Sequence, residues 1–410
     1  KWLHQKYALS FDEMTDLSKA FRARLAEETR LEPLVLDKEQ RSSDGTIKFR
    51  WKTGDGKLIE SVYMPDEERG RFTLCVSTQV GCAMGCGFCA TGTMGLSRNL
   101  TPGEIVGQVH QVNRFLLEEG LGRGPRPLTN IVFMGMGEPL HNYENLKASL
   151  DVLLAEEGPN FSHRHVTVST AGLVPQIERL GKETDVKLAV SLNATTDEVR
   201  DRVMPVNRRW KIAELMEACR KFPMKIGRRI TFEYVLFAGI NDTDEDLERL
   251  AKLVRQVPAK VNLIQYNRNE GLPYEPSPPE RVQHFVDGLM KRGVQAMARK
   301  NRGRDILAAC GQLAAERGPG RRRRGPSPAS SRPAAAEAAG SVVRAAPRRD
   351  PARTGLGRKR AVRGWIPSAR LPPSRAATTS LSFLLASLPS AIMSIAIWHR
   401  KAAGIRRPNG

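Results

Sequence analysis

Residues 73–95 read TLCVSTQVGCAMGCGFCATGTMG and contain four of the six cysteines of the chain. Cys82, Cys86 and Cys89 have the spacing C-x3-C-x2-C, and Cys75 lies seven residues before Cys82. The glycines between the cysteines permit the positive-φ turns that a loop wrapped around a metal centre requires. Three thiolates held so closely predict a soft metal centre with one coordination position left for another ligand.

The open position separates the kinds of metal site. A structural zinc site is closed by four ligands, so Cys75 or a distant His would have to complete it. An electron-transfer iron–sulfur cluster normally takes four cysteines in other spacings. The spacing resembles that of the radical SAM enzymes, which implies a [4Fe-4S] cluster on Cys82, Cys86 and Cys89 whose fourth iron binds S-adenosylmethionine (SAM). Buried cysteines without a metal are the remaining alternative.

Short apolar segments alternate with helical patterns after this loop, which is typical of β-α units and a parallel sheet. The helical pattern of residues 101–119 begins with Thr101 as N-cap, Pro102 at the first position and Glu104 completing a capping box. With the strand that enters the cysteine loop there are about seven strands, which predict an α/β fold, an incomplete (β/α) barrel of the radical SAM type. The other predicted strands are residues 130–135, 165–170, 186–192, 229–237, 260–266 and 294–299.

Two further patterns precede the loop. Residues 45–65 predict two strands joined by a Gly-Asp-Gly turn. The chain begins at Lys1, without an initiator Met and within a helical pattern, which predicts that it lacks its N-terminal part. Apolar residues at helical spacing predict a small N-terminal helical element, with one face formed by Phe11, Met14, Leu17, Phe21 and Leu25.

Short polar and Gly-rich motifs follow the ends of the predicted strands. They are GMGEP at residues 135–139, STAG at residues 169–172, SLNA at residues 191–194, and Asn267. The C-terminal strand ends of a (β/α) barrel form one rim, where catalytic groups collect. We therefore expect the residues of these motifs to lie around one site.

These motifs occur in order with RGRDILAACGQL at residues 302–313. Over about residues 10–316 the chain resembles the RlmN-type radical SAM methyltransferases, which make 2-methyladenosine in ribosomal and transfer RNA. The resemblance implies that Cys310 accepts a methyl group from one SAM, and that a radical made from a second SAM activates this methyl to attack adenine C2. It implies that Glu60 then takes the C2 proton, and that Cys75 releases the RNA from Cys310 as a disulfide forms.

Residue types alone are less specific than the resemblance. Glu60 by itself would be an exposed strand carboxylate, and Cys310 by itself a small core residue. The resemblance also implies that Glu138 binds the SAM ammonium group. Some relatives have His at the position of Asn193, and either side chain can supply a hydrogen bond. The implied SAM-binding residues are Gly137, Glu138, Ser169, Ser191, Leu192, Asn193 and Asn267.

The implied substrates are 23S ribosomal RNA at the peptidyl-transferase centre and the adenine 3′ of a tRNA anticodon. The implied enzyme is a cytoplasmic monomer that does not bind membranes and takes electrons from a flavodoxin or ferredoxin system. One alternative is the resistance-type relative that methylates C8 of the same ribosomal adenine. The other is a non-catalytic iron–sulfur or zinc binding module, which gives GMGEP and Cys310 no role.

The chain of 410 residues carries a net charge of +21, which by itself favours a nucleic-acid partner. About 20 Lys and Arg and about 2 acidic residues fall within residues 317–410, so the rest of the chain is nearly neutral. RNA would then be held by local basic patches, for which the candidates are Arg208, Arg209, Arg228 and Arg229. The alternative is that these arginines are ordinary solvated surface charge. Six cysteines without a secretory leader exclude an extracellular disulfide framework and favour a reducing cytosol.

Composition divides the chain into an N-terminal helical accessory fragment (residues 1–40), a radical SAM barrel with its hairpin and Cys310 segment (residues 41–316) and a basic tail (residues 317–410). The tail is rich in Arg, Ala, Pro and Ser without periodicity, which predicts a disordered or non-native segment. A shifted reading frame, a basic RNA-contacting tail and a membrane anchor at residues 380–398 are the alternatives.

Overall fold

The computed structural model describes residues 2–314 except 9, 30, 32, 33, 123, 125 and 226, so the predicted tail lies outside the described residues. The strands are Val35–Arg41 (β1), Ile47–Lys52 (β2), Leu58–Asp66 (β3), Arg71–Cys75 (β4), Gln79–Gly81 (β5), Leu96–Asn99 (β6), Asn130–Phe133 (β7), Val166–Thr170 (β8), Lys187–Ser191 (β9), Ile230–Leu236 (β10), Ala259–Gln265 (β11) and Ala296–Ala298 (β12).

Helices connect most of the later strands. They are Trp2–Gln5 (α1), Lys19–Glu28 (α2), Ala90–Met94 (α3), Pro102–Glu118 (α4), Tyr143–Leu154 (α5), Val174–Glu183 (α6), Asp197–Val203 (α7), Ile212–Lys221 (α8), Asp244–Val254 (α9) and Pro279–Lys291 (α10). In the described part of the chain, no helix is long and apolar enough to cross a membrane.

One sheet has the strand order β1-β2-β3-β4-β7-β8-β9-β10-β11-β12. The first four strands pair antiparallel, and β4 and β7 to β12 pair parallel. Among the described residues β12 does not pair back to β1, so the sheet stays open. The predicted incomplete (β/α) barrel, with seven parallel strands and a preceding hairpin, is confirmed.

Helix α4 has the predicted start. Thr101 accepts a hydrogen bond from the Glu104 backbone, and the Glu104 carboxylate accepts one from the Thr101 backbone. The buried face of α4 includes Ile105, Val109 and Val112. It packs into the main core together with the inner residues of the parallel strands. This packing fixes the strand ends that follow the cysteine loop.

The N-terminal region differs from the prediction of a small helical element with one apolar face from Phe11 to Leu25. Phe11, Met14 and Leu17 lie in turns, and α2 begins only at Lys19, because the Ser18 hydroxyl caps it by accepting from the Phe21 backbone at 3.2 Å. Ser, Thr and Asp compete with helical hydrogen bonds in this segment, which apolar spacing does not reveal. Strand β1 begins at Val35 and joins the sheet, ahead of residue 40, whereas the division into domains stays a prediction.

Candidate active site

A cavity of about 160 Å³ lies at the C-terminal ends of the parallel strands. Leu192, Cys75 and Glu60 do not line it, although all three are buried. The site residues predicted from the sequence that line it are Cys82, Cys86, Cys89, Gly137, Glu138, Ser169, Ser191, Asn193, Asn267 and Cys310. The fold therefore brings together residues that are more than 200 positions apart in the chain.

The cysteine loop is held by a close backbone approach. Gly81 has φ +76°, and a Cβ built on it would lie 1.9 Å from the Gly95 carbonyl oxygen. The Cys82 backbone N–H donates to the same oxygen at 3.0 Å. Only glycine permits this approach, because a side chain at Gly81 would both clash and favour another backbone conformation. The loop conformation thus directs the three thiols into the cavity.

The three thiols of the loop have little reason to ionise alone. Burial raises the pKa of Cys82 to about 12 and raises the pKa values of Cys86 and Cys89 as well. Hydrogen bonds from Thr91 and Gly92 act in the opposite direction on Cys89. Thiolates are the form that binds metal, so the charge of a metal centre would have to stabilise three of them here.

Glu138 is the buried carboxylate at the turn after β7. Its two carboxylate oxygens accept hydrogen bonds from the backbone N–H groups of Ala171 at 2.7 Å and Leu140 at 3.1 Å. Gly137 makes the turn possible, since its φ is +100° and a Cβ there would lie 2.5 Å from the Gln79 Cβ. Burial raises the pKa of Glu138 to about 7, so this carboxylate is poised to ionise when a cation binds.

Two charged residues of the cavity were not predicted from the sequence, Glu233 of β10 and Arg299 after β12. The Ser169 hydroxyl donates to one Glu233 carboxylate oxygen at 3.0 Å, and the Arg299 guanidinium lies 3.3 Å from the other. The signal for Glu233 was present in RITFEYVLF, because a Glu in an apolar strand is rarely buried without a partner.

Cys75 and Cys310 are neighbours across the Arg299 side chain. Negative charge on Cys310 is the main cause that raises the pKa of Arg299, and charge on Glu233 and Cys75 adds to it. Burial raises the pKa of Cys75 to about 12, a charge on Cys310 raises it further, and Arg299 opposes both effects. Both cysteines are free thiols in this structure. Burial and the neighbouring sulfur therefore both disfavour a charge on Cys75, and the Arg299 guanidinium is the cation that interacts with both sulfurs.

The segment that carries Cys310 is tied to the rim by amides. The Asn267 amide donates to the Cys310 carbonyl at 3.4 Å, and the Asn269 amide donates to the Gly311 carbonyl at 3.1 Å. The Ala90 backbone also donates to the Gly311 carbonyl, at 2.8 Å. These contacts join the Cys310 segment to the start of α3, immediately after Cys89.

Glu60 lies on β3 beneath the same C-terminal segment. Its side chain is only 6% exposed, and its carboxylate contacts the Lys48 ammonium at 3.4 Å and the Ala314 backbone N–H at 3.0 Å. Burial lowers the pKa of Lys48, and the Glu60 charge opposes this effect. The alternative of an exposed strand carboxylate is wrong, because β3 is covered on both sides.

Comparisons with known proteins agree with this geometry. The profile of the Radical SAM superfamily matches residues 76–254, and that of the "Ribosomal RNA large subunit methyltransferase N-terminal domain" matches residues 1–31. The chain is 66% identical over 324 residues to "Dual-specificity RNA methyltransferase RlmN" of Anaeromyxobacter dehalogenans, covering 79% of this chain and 87% of that protein. The chain belongs to the RlmN family.

Another RlmN relative, "Dual-specificity RNA methyltransferase RlmN 2" of Myxococcus xanthus, is 64% identical over 77% of this chain and 82% of its own length. Among solved structures, a radical SAM methyltransferase from Sphaerobacter thermophilus is 50% identical, with a TM-score of 0.73 over 77% of this chain and 91% of that chain. The predicted resemblance, fold and enzyme class are thereby confirmed.

RlmN membership supplies the cofactors, a [4Fe-4S] cluster and SAM, and the residues fit both. Three thiols, two of them buried and one half-buried, line one cavity beside a carboxylate of raised pKa. Within the described residues, no group of three His, Cys, Asp or Glu side chains could hold a single metal ion. A cluster differs from a single ion because each of its cysteine ligands binds a different iron. The cofactor prediction is confirmed by the family, and the role of each residue stays a prediction.

Arg200 is a buried residue next to the cavity that the sequence did not reveal. This fully buried side chain donates to the carbonyl oxygens of Leu192 at 2.9 Å, Ser191 at 3.0 Å and Ala171 at 2.7 Å. It thus holds two strand ends together. Asn193 has φ +54°, and its side-chain oxygen accepts from the Val235 backbone at 2.9 Å, so its amide is partly used to shape the rim.

Proposed function

We propose that this chain methylates C2 of adenine in 23S ribosomal RNA and in tRNA, at the adenine 3′ of the anticodon. The observation that carries the proposal is the pairing of Cys310, at the edge of the cavity that the cluster loop lines, with Cys75 beside it. A non-catalytic module needs no second pair of thiols next to its metal site. The dual substrate follows the names of relatives that are more than 60% identical.

Binding of SAM is assigned to the rim. Glu138 would accept the SAM ammonium group, and its own two backbone hydrogen bonds orient the carboxylate for this role. Ser169, Ser191, Asn193 and Asn267 would supply further polar contacts, and Gly137 and Leu192 their backbone. Cys82, Cys86 and Cys89 would hold the cluster, which supplies the single electron that cleaves SAM.

Methyl acceptance belongs to Cys310. Its thiolate would attack the SAM methyl carbon, forming the S–CH₃ bond as the sulfonium–methyl bond breaks and S-adenosylhomocysteine leaves. Arg299 supports this step, because its guanidinium favours the negative sulfur, and Glu233 holds the guanidinium at 3.3 Å. After activation of the methyl group, the Cys310-bound carbon would bond to adenine C2.

Release of the product belongs to Glu60 and Cys75. Glu60 would take the C2 proton, a role supported by its contact with Ala314, four residues after Cys310. Cys75 would attack the Cys310 sulfur, so that a Cys75–Cys310 disulfide forms and the carbon–sulfur bond breaks. The electron pair of that bond stays on the released carbon, which takes up a proton to become the C2 methyl group. Cytosolic thiols would reduce this disulfide for the next turnover.

The same proposal includes the setting of the enzyme. We assign it to the cytoplasm, as a monomer that receives electrons from a flavodoxin or ferredoxin system. Residues 1–40 would be an accessory fragment for RNA binding, residues 41–316 the catalytic barrel and residues 317–410 a dispensable tail. Arg208, Arg209, Arg228 and Arg229 remain candidates for RNA contact.

Mass spectrometry of digested RNA tests the reaction. The anaerobically reconstituted protein, given SAM, a reductant, a 23S rRNA fragment and tRNA, is expected to produce 2-methyladenosine in both. Formation of 8-methyladenosine would instead identify the resistance-type alternative. Zinc in place of iron and sulfide, with no methylated adenine, would identify the non-catalytic module. Cys86→Ala is the control, since loss of one thiolate should abolish both the cluster and methylation.

A further inference from the structure

Tyr266 is a buried phenol at the active site whose hydroxyl has no partner in the protein. It directly follows β11 and precedes Asn267, and it is 3% exposed. Among the described residues, none makes a hydrogen bond of good geometry with its hydroxyl oxygen, which is itself buried. Buried hydroxyl groups nearly always have a partner, so an unpaired one calls for an explanation.

The aromatic neighbours of Tyr266 fix its ring. The ring centroids of Phe237 and Tyr274 lie 5.2 and 6.0 Å from that of Tyr266. Tyr274 in turn packs closely on Gly87 of the cysteine loop. Its hydroxyl lies 2.7 Å from the point that a Cβ would occupy if residue 87 had a side chain. The phenol therefore cannot turn its hydroxyl to solvent without displacing this cluster of rings.

The surroundings of Tyr266 point to a cluster ligand as the missing acceptor. Tyr266 lines the cavity together with Cys86 and Cys89 and packs with both in one apolar group. The groups of Asn269 that act on the phenol lower its pKa and so behave as N–H donors toward its oxygen, and an N–H group cannot accept the phenol proton. A thiolate that binds iron keeps lone pairs that accept hydrogen bonds.

Of the three loop cysteines, Cys89 is the one whose charge acts on the Tyr266 phenol. Burial raises the pKa of the Tyr266 phenol, and of the loop cysteines it is Cys89 whose charge raises it further. Cys86 acts instead on Tyr274. Cys89 also lines the same cavity as Tyr266 and packs against the same apolar group, so its sulfur is the candidate acceptor.

We propose that the Tyr266 hydroxyl donates a hydrogen bond to the iron-bound Cys89 sulfur and thereby raises the reduction potential of the cluster. The inference deepens the proposed function and rests on it, since it requires the cluster. A hydrogen bond to a cluster sulfur stabilises the reduced state, which carries more negative charge. Tyr266 thus eases the entry of the electron that SAM cleavage needs, without contacting the RNA.

Tyr266→Phe removes only the hydroxyl and tests the proposal by a redox titration of the reconstituted, SAM-free protein followed by electron paramagnetic resonance. At a fixed potential, the ratio of reduced to oxidised cluster is expected to fall about threefold or more, which corresponds to about 28 mV at 59 mV per tenfold for one electron. Tyr234→Phe is the matched control. Tyr234 is also buried, but its hydroxyl donates to the Asn241 carbonyl at 2.8 Å and does not line the cavity.

An unchanged midpoint potential in Tyr266→Phe would overturn the proposal, even if the variant bound SAM more weakly, because the acceptor would then be SAM. If the hydroxyl has a structural role, Tyr266→Phe should lower the melting temperature of the metal-free protein. If the hydroxyl is unpaired there, its removal should leave the melting temperature unchanged, so a drop would also count against the proposal. Wild-type protein without iron and sulfide would instead refute the proposed function, and the inference with it. Wild-type protein that makes 2-methyladenosine while Tyr266→Phe keeps its potential refutes the inference alone.

Discussion

At the scale of the residue, the most telling group is Glu138, a carboxylate with two backbone N–H donors that is nevertheless hard to ionise. Burial raises its pKa from 4.5 to about 7 and outweighs the hydrogen bonds. Without a bound cation, roughly half of the molecules at neutral pH carry a protonated Glu138. An arriving ammonium group supplies the charge that favours the ionised form.

The affinity for SAM should consequently depend on pH. Because the pKa is raised, Glu138 is anionic above about 7 and neutral below it, so affinity should rise as pH rises through about 7 and fall by up to about tenfold per unit below it. Equilibrium dialysis of SAM between about pH 6 and about pH 8 measures this. In Glu138→Gln the pH dependence should vanish and binding at the upper pH should weaken roughly tenfold to a hundredfold. A wild-type affinity that is flat over this range would show that Glu138 does not bind the ammonium group.

The two thiols next to Arg299 should be separable by their order in the reaction. Cys310→Ala should bind the cluster and SAM but never become attached to RNA. Cys75→Ala should accept the methyl group, bond to adenine and then stall, so that it co-purifies with RNA through a bond stable to denaturant and nuclease trimming. Intact-protein mass measurement of both variants, purified from cells, decides the matter. If Cys75 is merely a small buried side chain, its variant should lose about 1–3 kcal/mol of stability and carry no nucleotide.

How much of the site the sequence predicts depends on whether its residues are close in the chain. Cys82, Cys86 and Cys89 are predictable because their local spacing reflects the chemistry directly. Arg299 is not, and the sequence marks Glu233 only as a buried carboxylate that needs a partner, because the two meet only when β10 and β12 bring them to one cavity. The same holds for Arg200, whose role lies in the carbonyl groups of other loops. Ser169 was predicted as a SAM contact, and its hydroxyl also donates to Glu233, which no motif describes.

At the scale of the element, the loop between β5 and α3 depends on one close contact. Gly81→Ala would bring a methyl group to 1.9 Å from the Gly95 carbonyl oxygen, so β5 and β6 would have to separate. We expect a loss of stability of about 1–3 kcal/mol and a clear fall in iron bound per protein. Iron and sulfide analysis together with thermal unfolding measures both.

Gly54→Ala is the matched control for this change. Gly54 lies in the turn between β2 and β3, its φ is not positive, and a Cβ there meets nothing within 4 Å. The control should bind iron as the wild type does. Equal iron content in both variants would contradict the idea that the close approach at Gly81 sets the geometry of the loop.

Elements with a strong period were predictable and short ones were not. The parallel strands appeared as apolar runs because both faces of a parallel sheet are buried. β5 and β6 have only three and four residues, so they carry too little pattern to recognise. β1 is mostly exposed and polar, and it is a strand because it pairs with β2, which its own sequence does not indicate. In residues 11–17, local turns displaced a helix that apolar spacing alone predicted.

At the scale of the whole molecule, the catalytic barrel and most of the net charge belong to different parts of the chain. The barrel and its active site lie within residues 2–314, whereas most of the net charge of +21 belongs to residues 317–410. The parallel strands, the rim and both special cysteines are complete without the tail. The backbone N–H of Ala314, four residues after Cys310, contacts Glu60, so the chain is needed at least as far as this residue for the contact.

Two truncations that differ by four residues locate this boundary. Truncation after Glu316 should leave melting temperature and RNA methylation almost unchanged, because the composition of residues 317–410 favours no packed core. Truncation after Gln312 should abolish most activity, because it removes the Ala314 N–H that contacts Glu60 and the Leu313 carbonyl that accepts from the Thr91 hydroxyl at 2.6 Å. Methylation of tRNA and of the 23S rRNA fragment is measured for both, with binding of each RNA by gel shift. If truncation after Glu316 weakens RNA binding while the melting temperature is unchanged, the basic tail is an RNA-binding element, and the placement of all RNA contacts within the barrel and its N-terminal fragment is wrong.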